Sequence, residues 1–152
     1  MLSRDFRDIL SAFSDAGVEY LLVGAYALSA HGLLRATGDI DLWVRPTAEN
    51  AGRVHRALMA FGVPAEQVSA EDFTRPGSVV QLGVPPLRID ILTSISGVEF
   101  PEAWEARTAV ELDGVNVPVL SRAHLVVNKR AADRPKDRLD LRWLEGPAAP
   151  GE

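Results

Sequence analysis

The chain reads as an α/β (α+β) protein: a mixed β-sheet flanked by helices, with a helical C-terminus. Three observations predict this. Short apolar runs of strand length interleave with segments whose apolar residues recur at helical spacing. Two strand pairs are joined by turn signals, Gly83-Val84-Pro85-Pro86 and Asp113-Gly114, so the sheet is mixed and not purely parallel. Helical patterning occupies both ends of the chain.

Each element has a local cause. Ser3 can cap a helix over 3–16, in which Phe6, Ile9, Leu10 and Phe13 share a face and which Gly17 ends. Tyr20 to Val23 is a short buried strand, broken by Gly24. A short helix, Ala25 to His31, follows, with Gly32 behind it. Ile40 to Val44 is a second strand, closed by Pro46. Thr47 opens a helix to about Phe61, stopped by Gly62 and Pro64, and residues 63–77 are weakly patterned and read as loop. Val79–Leu82 and Leu87–Leu92 read as strands, Pro101–Arg107 as a helical turn, and Val110–Leu112 with Val115–Leu120 as a hairpin around Asp113-Gly114. Ser121 caps a helix to about Ala132, and Arg134-Pro135 starts the last one, with proline where its missing N–H costs little. Residues 1–146 read as one domain and 147–152 as a flexible tail of Pro, Ala, Gly and Glu.

Composition narrows the function classes. The 152 residues include no cysteine, which excludes disulfides and thiolate metal sites and fits a cytoplasmic location. No stretch has the length of a membrane span, and no signal-peptide run is present. A net charge of −5 argues against a broad basic surface for nucleic acid, while leaving room for a local basic groove.

The residues that carry chemistry are carboxylates on strands. Asp39 and Asp41 are two apart, so alternation points both to one face while Ile40 and Leu42 point to the other. Side-by-side carboxylates repel, and a hard divalent cation with a preference for oxygen ligands relieves that repulsion. The competing reading is a solvated acidic strand. Asp90 in Leu87-Arg88-Ile89-Asp90-Ile91-Leu92 faces opposite to Ile89 and Ile91. If its strand lies beside the first, three carboxylates converge on a site able to hold two metal ions for displacement at phosphorus. Gly24, between strand and helix, places backbone N–H groups at a helix start, where phosphate is favoured.

These residues carry a resemblance. Val23-Gly24-Ala25, then Arg35-Ala36-Thr37-Gly38-Asp39-Ile40-Asp41-Leu42, resembles the core motif of the DNA polymerase beta-like nucleotidyltransferase superfamily: a glycine turn, a short helix, Asp-x-Asp on a strand and a third Asp on a later strand. With His31-Gly32, Arg35 and Thr37 ahead of it, the string is similar to the abortive-infection (AbiEii-type) branch of minimal bacterial enzymes and toxins. Lys129-Arg130-Ala131-Ala132, Arg134-Pro135-Lys136-Asp137 and Leu139-Asp140-Leu141 resemble that branch's later motif. The resemblance spans about residues 20–144 and departs at Ala25, where the pattern has Gly or Ser.

The resemblance implies a nucleotidyltransferase that moves a nucleoside monophosphate from an NTP to an acceptor hydroxyl on RNA, protein or a small molecule. Mg²⁺ or Mn²⁺ would sit on Asp39, Asp41 and Asp90. Gly24, Ala25, Arg35, Thr37 and Lys129 would hold the nucleotide, and Asp137 would be a supporting or acid–base residue. It also implies a toxin role with an antitoxin partner. Two rivals stand beside it: a catalytically inactive nucleotide- or partner-binding module of the same fold, and a metal-dependent phosphohydrolase. Arg134 reads either as neutralising phosphate or as pairing with Asp137, and the remaining charges between Lys129 and Arg142 read as a salt-bridged helical surface. His31 reads as a helix-end hydrogen bonder, His55 and His124 as structural or surface groups, and Trp43 as half-buried at the sheet edge or stacked on a base.

Overall fold

The computed structural model describes residues 2–33, 37–84 and 87–146. The expected tail, Arg35 and the Pro85-Pro86 turn lie outside them. Among the described residues the helices and strands follow the predicted order, with one 3-10 turn added: α1 (Arg4–Asp15), β1 (Tyr20–Val23), α2 (Gly24–Ala30), β2 (Asp39–Val44), α3 (Ala48–Phe61), the 3-10 turn (Ala70–Phe73), β3 (Val79–Val84), β4 (Leu87–Leu92), α4 (Phe100–Glu105), β5 (Thr108–Leu112), β6 (Val115–Val119), α5 (Arg122–Ala132) and α6 (Pro135–Glu145).

The predicted caps form. Ser3 Oγ accepts from Phe6 N at 3.2 Å, Thr47 Oγ1 from Asn50 N at 3.3 Å and Ser121 Oγ from His124 N at 3.1 Å. Each satisfies an amide that the first helical turn leaves unpaired. At the β5–β6 hairpin, Asp113 (φ 49°) and Gly114 (φ 83°) both take the left-handed conformation that a tight type I′ turn requires. The stretch read as loop over 63–77 contains the 3-10 turn, and Phe73 in it is fully buried. A single aromatic gives no periodicity, so this element left no pattern in the sequence.

One sheet runs in the order β3-β4-β2-β1-β6-β5. It is mixed: β1–β2, β3–β4 and β5–β6 are antiparallel, whereas β2–β4 and β1–β6 are parallel. Alternation sends Ile40, Leu42, Ile89 and Ile91 to one face, where they join Phe6, Ile9, Leu10, Phe13, Val54 and Leu58 in the core. Asn50 pins the start of α3 to the foot of β1, accepting from Glu19 N at 2.8 Å and donating to the Glu19 carbonyl at 2.9 Å. Trp43 corrects the sequence reading. Its strand is central, its side chain is 1% exposed, and its ring meets Phe100 of α4 edge-on at 5.0 Å. It is a core residue, with no exposed face on which a base could stack. Among the described residues, no helix is long and apolar enough to cross a membrane.

Candidate active site

The opposite face of β2 and β4 builds the site. These strands are parallel neighbours whose register sets Asp41 across from Asp90 and Asp39 across from Arg88. Asp39, Asp41, Arg88 and Asp90 therefore point to one side and line an open cavity of about 720 Å³, together with Gly24, Ser94, Asn128, Lys129, Arg134 and Lys136. A smaller adjoining cavity of about 170 Å³ reaches Ala25, Thr37 and Asp140. The three carboxylates expected to converge do share one cavity.

Their electrostatics are unfavourable as they stand. Burial raises the Asp41 pKa, and the adjacent Asp90 and then Asp39 carboxylates push it further; Lys136 opposes this, and the result is about 6. Arg88 pairs with the other two carboxylates. Its Nη2 lies 3.2 Å from Asp39 Oδ2 and its Nε 3.3 Å from Asp90 Oδ1. The second contact is an ion pair without hydrogen-bond alignment: both Arg88 Nε and Asp90 Oδ1 are buried and lack a hydrogen-bond partner.

Among the described residues, no three carboxylate or imidazole side chains form a closed ligand set for a metal ion. The donor chemistry nevertheless fits a hard cation. Carboxylate oxygens from two neighbouring strands face one cavity, and one buried oxygen, Asp90 Oδ1, has no hydrogen bond.

Gly24 is shaped by the same cluster. Its φ is +72°, and a Cβ there would lie 2.2 Å from Asp41 Oδ2. The glycine predicted for a phosphate turn is thus required twice: by the left-handed backbone and by the carboxylate packed against it. Thr37 Oγ1 accepts from Asp39 N at 3.1 Å and so steadies the start of β2. Arg35, expected to help hold the nucleotide, lies outside the described residues.

Lys129 and Asp137 depart most from expectation. The Lys129 ammonium does not emerge free at the rim. It is nearly buried and lies 3.1 Å from Asp137 Oδ1 and 3.2 Å from Asp140 Oδ2. Burial lowers its pKa, against the pull of Asp137.

Asp137 is wholly buried, and both of its oxygens are taken. Oδ2 accepts from Arg134 N at 3.1 Å and Arg134 Nε at 2.7 Å, while Oδ1 accepts from Arg134 Nη2 at 3.1 Å as well as from Lys129. Burial alone would raise its pKa, but the Arg134 and Lys129 donors outweigh this and hold it at about 2. A carboxylate so committed has no lone pair left for a substrate proton. Its position, the third residue of α6, caps that helix and fixes it against α5.

Two charged residues facing the cavity escaped the sequence reading as site groups. Arg88 carried a usable signal, since it stands two before Asp90 on the same strand and alternation puts both on one face. Lys136 stood within the basic stretch but could not be told from its neighbours. Arg130 pairs with Glu145 and Arg138 with Asp133, as a salt-bridged surface should, whereas Lys136 forms no ion pair among the described residues and lines both cavities. His31 is structural, as read: its Nε2 donates to the Leu120 carbonyl at 2.8 Å, tying the end of α2 to the end of β6.

A mixed sheet carrying Asp-x-Asp on one strand, Asp on its parallel neighbour and a glycine turn packed against them defines a nucleotidyltransferase-type protein. The chain belongs to the family described as nucleotidyltransferase of unknown function (DUF6036), which matches residues 2–145 and makes it a transferase.

Solved structures share the fold. A candidate nucleotidyltransferase from Thermotoga maritima superposes with a TM-score of 0.60 at 21% identity, over 93% of this chain and 91% of that one. ANT(2")-Ia in complex with adenylyl-2"-tobramycin does so with a TM-score of 0.55 at 18% identity, over 91% and 84%. At these identities the likeness is one of fold. No curated protein matches the chain.

Proposed function

We propose that this nucleotidyltransferase moves a nucleoside monophosphate from an NTP to an acceptor hydroxyl, with Mg²⁺ or Mn²⁺ held by Asp39, Asp41 and Asp90. The observation that carries the reading is the register of β2 on β4. It sets Asp41 beside Asp90 over one cavity, at a cost in repulsion that a structural role does not require. When bound, the cation would stabilise charge on the transferring phosphoryl group and lower the barrier to attack by the acceptor oxygen.

The chain's own groups do the rest. Asp90, with one buried oxygen outside any hydrogen bond, would take the acceptor proton. Lys136 and the half-exposed Arg134 would face the triphosphate, beside the Gly24–Ala25 backbone. Lys129 and Asp137 would act from behind, holding the start of α6 so that Lys136 overlooks the carboxylates. This reading moves the phosphate contact from Lys129 to Lys136.

The acceptor is the finer question. RNA, protein and small molecules all present a hydroxyl, and the acidic net charge weighs against an extended RNA surface. The adenylylated tobramycin bound to the structural neighbour makes a small polyhydroxylated acceptor worth including. The resemblance to abortive-infection enzymes adds a toxin role with an antitoxin partner. A second reading, a nucleotide-binding module without turnover, is favoured by Arg88, which already pairs with two of the carboxylates.

One assay separates these readings. The protein is incubated with each labelled NTP, Mg²⁺ or Mn²⁺, and in turn total RNA, cell extract and an aminoglycoside panel. Label passing to an acceptor with wild-type protein, and at least about a thousandfold less with Asp41→Asn, supports the transferase. Free phosphate in place of a labelled product indicates hydrolysis, and a nucleotide-dependent rise in Tm without product indicates the binding module. For the toxin role, induced wild-type protein should arrest bacterial growth and Asp41→Asn should not.

A further inference from the structure

Arg88 sits where a cation is expected. Its guanidinium spans β2 and β4, reaching Asp39 Oδ2 at 3.2 Å and Asp90 Oδ1 at 3.3 Å, and its backbone N–H is fixed to the Gly38 carbonyl at 2.8 Å. The register that opposes Arg88 to Asp39 also places it two residues from Asp90 on the same face, so the side chain needs no detour to touch both. The fit is imperfect. A guanidinium built to hold a carboxylate makes aligned, paired N–H···O bonds. Here Nε and Asp90 Oδ1 are close, buried and unaligned. By contrast, Arg134 meets Asp137 with three hydrogen bonds, including one from its backbone. The Arg88 guanidinium is thus held by one hydrogen bond, from Nη2 to Asp39 Oδ2 at 3.2 Å, and neutralises Asp90 without locking the geometry there.

Resting on the metal-site reading above, we propose that Arg88 is a resident counter-ion that makes cation binding conditional on the nucleotide. Before substrate arrives, the guanidinium holds Asp39 and Asp90 together and competes with a bare divalent cation for their oxygens. A nucleotide arriving with its cation supplies triphosphate oxygens to which the guanidinium can turn, so the carboxylates are released as the cation is delivered. Arg88 is thus a positioning residue that suppresses binding of metal alone.

The test reads metal binding directly. Mn²⁺ is titrated into nucleotide-free wild-type protein, Arg88→Gln, Arg88→Lys, Asp41→Asn and the Arg88→Gln/Asp41→Asn double variant, with free Mn²⁺ followed by paramagnetic resonance and folding checked by circular dichroism. Arg88→Gln is expected to bind Mn²⁺ about tenfold more tightly than wild type, because a positive charge has left the site. Arg88→Lys, with its charge kept but its reach shortened, should fall between the two, and the gain should vanish in the double variant. The Tm of metal-free Arg88→Gln should fall and recover with Mn²⁺. Mn²⁺ affinity that is unchanged or weaker in both Arg88 variants would overturn the proposal, even if wild-type protein transfers nucleotide in an Asp41-dependent way. If no variant binds Mn²⁺ and no transfer occurs, the metal-site reading itself falls and takes this proposal with it.

Discussion

Two charged clusters lie within reach of one cavity, and they are built on opposite terms. Lys129, Arg134, Asp137 and Asp140 are closed: two acids meet two bases at 2.7–3.2 Å, three of the four side chains are buried, and the Asp137 pKa is held down at about 2. Asp39, Asp41, Asp90 and Arg88 are open: Arg88 pairs with Asp39 and Asp90, Asp41 forms no ion pair among the described residues, and its pKa is pushed up to about 6. The first cluster spends its charges on joining α5 to α6. The second leaves negative charge unmatched beside a cavity, which stability alone would select against and a cationic ligand would satisfy. On the proposed reading, unmatched charge marks the chemistry and matched charge the scaffold.

The contrast can be broken from the scaffold side first, where the expected effect is largest. Lys129→Met removes a buried ammonium that two buried carboxylates share and should cost about 3–5 kcal/mol in denaturant unfolding. If loss of Lys129 leaves stability intact and only weakens nucleotide binding, the closed cluster was a ligand site after all.

Gly24→Ala comes next. The left-handed backbone and the 2.2 Å approach to Asp41 Oδ2 predict a loss of about 1–3 kcal/mol. Adding Asp41→Gly should recover the part due to collision and leave the part due to φ, which chemical denaturation of the single and double variants can separate.

The pH dependence is the most discriminating. Asp41 has a folded-state pKa above its unfolded value of 3.8, so the native state holds the extra proton between them and stability falls as pH rises from about 4 to about 6. Asp137, depressed to about 2, acts in the reverse sense: its contribution is present above 3.8 and is lost as pH falls toward 2. The difference in Tm between Asp41→Asn and wild type should therefore grow in favour of the variant across pH 4 to 6 and level off above. A flat difference would mean that Asp41 is not strained by its neighbours.

Much of this was legible in the sequence because it is local. Caps at Ser3, Thr47 and Ser121, the Asp113-Gly114 turn, and the common face of Asp39 and Asp41 depend only on neighbours along the chain, and each is found where the pattern places it. The hairpin signals foretold a mixed sheet, and Asp-x-Asp with Asp90 foretold which side chains to watch.

The tertiary structure decided what those side chains meet. Strand order put β4 beside β2, although α3 and β3 separate them in the chain, and only that register brings Asp90 to Asp41 and Arg88 to Asp39. The same packing of remote segments made Trp43 a core residue under Phe100 and set Lys129, expected near the rim, against Asp137 and Asp140. Periodicity states which face a residue takes. What lies on that face depends on the packing of segments far apart in the chain, and here that packing separated the open cluster from the closed one.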